Sequence, residues 1–127
     1  MTVIIDGETL SINDVVSVAR YFEKVDLSLD SGKKVTKCRD FVESLVADEK
    51  VVYGVTTGFG AFDNVFISKE QSDKLQENLI LSHAAAVGPP LPEDVVRATM
   101  LLRANSLSKG YSGVRIEIIE TLVYMLN

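Results

Sequence analysis

The run Tyr53-Gly54-Val55-Thr56-Thr57-Gly58-Phe59-Gly60 sets a phenol at the head of a loop rich in glycine. Glycine lacks the Cβ that bars tight turns and close approach, so such a loop can hold Tyr53 against a group that must react. A phenol ionises near pH 10, about three units above neutrality. To take a proton near neutral pH it needs positive charge or hydrogen-bond donors that stabilise phenolate. No cation stands beside Tyr53 in the sequence. Two readings therefore stand: a base held in a site, or a tyrosine in a tight structural turn. The glycine spacing does not match a dinucleotide-binding loop, and no Gly-Lys-Ser/Thr follows it.

The second chemical feature is Ser82-His83, which contains the only histidine of the chain. One imidazole cannot build a zinc site without partners, and Cys38 is the sole cysteine, so no metal site is expected. His83 also has two readings. It is a helix-end histidine bonded to backbone, or a polar contact that recognises a substrate side chain. Cys38 has no partner for an intrachain disulfide and reads as a small side chain on a helix.

The 127 residues suffice for one domain spanning 1–127, and 46% apolar residues give it a core. A formal charge of −5 argues against nucleic acid or an anionic membrane as partner. The start, Met1 to Gly7, is too short an apolar run for a secretory leader, and no stretch is long and apolar enough to span a bilayer. The expected location is cytoplasmic.

The elements that must position Tyr53 and His83 are mostly helical. Val3-Ile4-Ile5 reads as a short strand closed by an Asp6-Gly7 turn, and Leu10 as the start of a second strand or a lead into the next element. Ser11 with Asp14 resembles a helix N-terminal box, and Val15, Val18, Ala19 and Phe22 extend that helix to about Lys24. Leu27 to Leu29 reads as a connector. Ser31 is the expected cap of a second helix reaching about Asp48. Lys33, Lys34, Lys37 and Arg39 form a basic cluster that reads as a solvated face of that helix. After the glycine loop, Ser68 and Gln71 have capping-box spacing for a helix to about Ser82. Gly88-Pro89-Pro90 breaks the chain. Pro92 opens a helix to about Ser108, with Val95, Val96, Thr99, Met100 and Leu102 as its apolar positions and Gly110 as its stop. A last helix from about Ser112 carries Val114, Ile118, Ile119, Leu122, Val123 and Leu126.

Three stretches together carry a resemblance. They are Tyr53 to Gly60, Asn78 to Gly88, and Leu102 to Arg115. In that order and spacing they resemble the N-terminal section of the aromatic amino acid ammonia-lyases, and within them the histidine ammonia-lyase branch. The resemblance runs over essentially the whole chain and over about the first quarter of a typical member. It implies a mainly α fold with a short N-terminal β element, like the N-terminal part of the ammonia-lyase/fumarase-like helical fold. It also implies elimination of ammonia from L-histidine to give urocanate. In that family the electrophile is a methylidene-imidazolone ring formed from an Ala-Ser-Gly tripeptide. The resemblance makes Tyr53 the base on the substrate's β-carbon and places Gly60 against the reacting centre. It places Ser82 and His83 where the substrate ring is read.

No Ala-Ser-Gly occurs in the 127 residues, and Tyr111-Ser112-Gly113 belongs to another family motif. The expectation is therefore a chain that supplies Tyr53, Gly60 and His83 to an electrophile on a complementary polypeptide and is inactive alone. The contrasting expectation is a non-catalytic helical domain descended from the enzyme, whose apolar last helix is covered by self-association into a homo-oligomer.

Overall fold

The structure is a computed structural model that describes residues 2–48, 50–52, 55, 57 and 69–127, with backbone alone at 69–73. The described elements run β1 (Thr2–Ile5), α1 (Ile12–Tyr21), β2 (Lys24–Leu27), α2 (Leu29–Ala47), α3 (Lys69–His83), α4 (Glu93–Leu107) and α5 (Ile116–Leu126). The protein is thus mainly α with a short β element at its N-terminus. Two compact units divide the chain. One comprises residues 1–41 and 90–127, the other residues 42–89.

In the first unit, β1 and β2 pair in parallel with Thr2 opposite Lys24 and Ile5 opposite Leu27. Parallel neighbours need a crossover, and α1 supplies it. Ser11 caps α1 through a reciprocal box: its hydroxyl oxygen accepts from Asp14 N, and Asp14 accepts from Ser11 N. The helix stops before Lys24 because Phe22 adopts a left-handed conformation, φ 56°. The next four residues, Lys24-Val25-Asp26-Leu27, are a strand where the sequence suggested a helix end and a connector. A four-residue run with two charges carries little strand signal of its own. Its pairing with β1 is what makes it a strand. On its other side, the Asn127 amide both accepts from Val25 N and donates to Val25 O, each at 2.8 Å.

Ser31 does not cap α2. The helix begins two residues earlier, and Ser28 O accepts from Gly32 N at 3.0 Å. Ser31 is buried and donates its hydroxyl to Asp6 O at 3.1 Å, tying α2 to the turn after β1. Lys33, Lys34 and Lys37 are exposed, as a solvated face requires, while half-buried Arg39 donates to Gly113 O.

The core of this unit is built from Ile5, Val18, Val25, Val35, Leu101, Ala104, Leu107, Ile119 and Leu126. Along α4 the inward stripe is Arg97, Leu101, Ala104 and Leu107, whereas Val95, Val96 and Leu102 are exposed. Of the positions that signalled this helix, Met100 packs against the core, while the inward stripe itself carries a charged residue that apolar periodicity does not pick out. Arg97 earns that place through its hydrogen bonds. Left-handed Phe22 sends the N–H groups of both Phe22 and Glu23 to Ser17 O, so Val18 O is bypassed. Arg97 Nε and Nη2 donate to Val18 O at 3.1 and 3.0 Å, and Nη2 also donates to Leu126 O at 2.9 Å. Its guanidinium carbon lies 4.4 Å from the centre of the Phe22 ring.

The turn after β1 is fastened on several sides. Asp6 Oδ1 accepts from Glu8 N and Thr9 N, and Oδ2 accepts from the Thr9 hydroxyl. The Thr9 N–H, then the Glu8 N–H and the Thr9 hydroxyl, hold the Asp6 carboxyl down from its ordinary 3.8 to about 2. Gly7 N donates to Asn105 Oδ1 at 2.9 Å. At the end of α4, Gly110 has φ +76°, and a methyl group there would lie 2.8 Å from the Lys34 carbonyl carbon.

Three outcomes follow for stability. Replacing Arg97 by Ala orphans two buried carbonyls and is expected to cost about 2–4 kcal/mol in urea unfolding. Gly110→Ala combines a left-handed backbone with a backbone clash and is expected to lower stability by at least about 2 kcal/mol in the same assay. Because Asp6 has a depressed pKa in the fold, its contribution is complete above about pH 4. It is lost as pH falls toward 2. In acid titrations followed by circular dichroism, Asp6→Asn should flatten the stability loss in that window relative to the parent.

Candidate functional site

Of the residues singled out from the sequence, Ser82 and His83 belong to the second unit, residues 42–89. Tyr53 and Gly60 lie outside the described residues. Of their loop, Val55 and Thr57 are described. Val55 N donates to Val52 O at 3.0 Å, closing a turn, and Thr57 is buried. The Ser68 end of the expected capping box is likewise outside the described residues, while the helix it was to open is present as α3.

Ser82 and His83 close α3. The carbonyls of a helix's last turn lack intrahelical N–H partners and carry the negative end of its dipole, so donors gather there. The Ser82 hydroxyl lies 2.9 Å from Leu79 O, one turn back, and Nδ1 of His83 lies 3.0 Å from the same carbonyl. Ser82 Oγ and His83 Nδ1 are 2.8 Å apart. The three groups form a closed triangle. Both side chains are exposed. The backbone-bonded reading of His83 is thus realised at Nδ1, and among the described residues no side chain or backbone group bonds to Nε2 on the opposite edge of the ring. Ala84, Ala85 and Ala86 follow with Ala84 N bonded to Ile80 O at 2.8 Å, and the chain leaves the helix there.

Sequence reasoning placed Ser82 beside the substrate but missed its bond to the histidine it precedes. The signal was available: a serine at the end of a helix bonds readily to the carbonyl three residues back, and that carbonyl also faces residue 83. Among the described residues no group of three or more His, Cys, Asp or Glu side chains is placed to hold a metal ion. No described helix is long and apolar enough to cross a membrane.

The third stretch of the resemblance, Leu102 to Arg115, lies in the first unit and is engaged in packing. Leu107 and Ala104 are buried in the core, Asn105 receives Gly7 N, and Gly110 sits against Lys34. It carries the frame.

The aromatic amino acid lyase model matches residues 10–127. The chain belongs to this family. Histidine ammonia-lyase of Caldanaerobacter subterraneus subsp. tengcongensis is 57% identical over 125 residues, which are 98% of this chain and 25% of that relative. The chain therefore spans about a quarter of the length of the curated relatives it matches. Among solved structures, histidine ammonia-lyase from Trypanosoma cruzi superposes with a TM-score of 0.88 at 33% identity, covering 99% of this chain and 24% of that one. Tyrosine aminomutase from Streptomyces globisporus superposes with a TM-score of 0.92 at 40% identity, covering 100% of this chain and 24% of that one. One lyase-family frame thus accommodates a histidine ammonia-lyase and a tyrosine aminomutase alike.

Proposed function

We propose that this chain provides the N-terminal portion of a histidine ammonia-lyase site. In that reading it contributes a base, Tyr53, a close-approach glycine, Gly60, and a substrate-reading pair, Ser82 and His83. The observation that carries the reading is the arrangement at the end of α3, where the imidazole is anchored through Nδ1 and keeps its far edge exposed. An imidazole offered this way can exchange a hydrogen bond with the ring of histidine, which an apolar side chain could not do. The histidine ammonia-lyases among the relatives support the same substrate.

The methylidene-imidazolone that the family implies is made from Ala-Ser-Gly, and these residues do not contain that tripeptide. The group does not arise from this stretch of polypeptide. What is assigned to the chain is confined to proton removal by Tyr53, backbone approach at Gly60 and ring recognition by His83. A base without an electron sink cannot labilise an unactivated β-proton, so turnover requires further polypeptide.

Purified chain mixed with L-histidine is expected to form no urocanate by ultraviolet absorbance. Addition of a complementary ammonia-lyase polypeptide bearing Ala-Ser-Gly should restore formation. In the restored mixture, Tyr53→Phe is expected to reduce turnover by at least about 100-fold, the lower range for a lost general base. Urocanate from the chain alone, or full activity of the Phe variant, overturns the assignment. A chain that forms a stable oligomer and is restored by no such partner favours instead a non-catalytic interaction domain. The exposed Tyr124 and Met125 of α5 are the observation behind that second reading.

A further inference from the structure

The triangle at the end of α3 determines more than the place of His83. A carbonyl oxygen has no proton to give, so the 3.0 Å contact between Nδ1 and Leu79 O is a hydrogen bond only if Nδ1 carries the proton. The Ser82 hydroxyl has a single proton, and Leu79 O lies 2.9 Å away to receive it. With that proton directed to the carbonyl, Ser82 Oγ meets Nδ1 at 2.8 Å as an acceptor. Both contacts of the ring then ask for the same tautomer. In the reverse arrangement the hydroxyl donates to Nδ1, and the Nδ1 contact with Leu79 O no longer carries a hydrogen bond.

We infer that Ser82 is a positioning residue: its hydroxyl oxygen joins Leu79 O in holding His83 in the Nδ1–H form, so that Nε2 presents a lone pair and His83 acts as a hydrogen-bond acceptor. The ligand class this selects is an aromatic ring that brings its own hydrogen-bond donor, an imidazole N–H or a phenol O–H. A phenyl ring offers no such donor, and a carboxylate offers only further lone pairs. The inference about ligand choice rests on the reading of His83 as the substrate-facing residue. The tautomer itself does not.

The chain has one histidine, so a long-range 1H–15N correlation spectrum of the uniformly labelled protein contains a single imidazole pattern. At pH about 9, where an ordinary imidazole is neutral, the expected pattern is Nδ1–H. Ser82→Ala removes one of the two acceptors of Nδ1–H and leaves Leu79 O, so the share of Nε2–H is expected to rise without displacing Nδ1–H entirely. Ser82→Thr keeps a hydroxyl and is expected to retain Nδ1–H. A predominantly Nε2–H pattern in the parent protein, or no rise in the Nε2–H share in Ser82→Ala, overturns the inference. If the Ala variant loses α3 by its amide spectrum, the parent and Thr spectra decide, and predominant Nε2–H in either overturns it. No substrate enters these measurements. Failure of urocanate formation in the complementation assay would therefore sink the proposed function while leaving the tautomer intact, and the reverse also holds.

Discussion

A buried guanidinium at the ends of two helices is the constraint on which the larger unit depends. The last carbonyls of a helix have no N–H of their own to accept from, and burying them without partners is costly. At the end of α1 the left-handed Phe22 makes matters worse, because it diverts two N–H groups to Ser17 O and leaves Val18 O bare. Arg97 answers with two donors there and a third bond at Leu126 O on α5. A planar fork suits this task where a lysine would not, since it addresses separate carbonyls from one rigid group. Positive charge is also favoured at the negative ends of helix dipoles. Because Arg97 belongs to α4, the bonds fix α1, α4 and α5 to one another, and the apolar core of Val18, Leu101 and Leu126 fills in around them.

The same residue explains where sequence reasoning went astray. Apolar periodicity located every described helix, and it found the Ser11–Asp14 box and the stop at Gly110. It missed the inward stripe of α4 because Arg97 interrupts the apolar pattern that periodicity seeks. It missed β2 because Lys24 to Leu27 is short and half charged, and its strand character comes from β1, some twenty residues away. It assigned Ser31 to a cap when that serine is buried and bonded to Asp6 O, a contact set by packing between distant segments. Family membership was legible from three stretches of residues, and the match over residues 10–127 agrees with it. The local geometry at Ser82 and His83 was half legible. The helix-end bond could be foreseen from residue types, but the triangle with Leu79 O required coordinates.

The two units divide the work differently. Residues 1–41 and 90–127 enclose an apolar core stitched by specific polar bonds: Ser31 to Asp6, Gly7 to Asn105, Val25 to Asn127. Residues 42–89 hold Ser82 and His83, and where α3 is described in side-chain detail its surface is mostly exposed.

That division bears on how likeness to other proteins should be weighed. Asn105 receives a backbone N–H across the fold, and Gly110 leaves no room for a methyl group beside Lys34. Such positions testify to a shared scaffold and are silent about which ring is deaminated. A histidine ammonia-lyase and a tyrosine aminomutase can both superpose on that scaffold, so shape alone does not name the amino acid. Under the proposed function the discriminating information is concentrated in very few atoms, and one imidazole nitrogen at the end of α3 is among them.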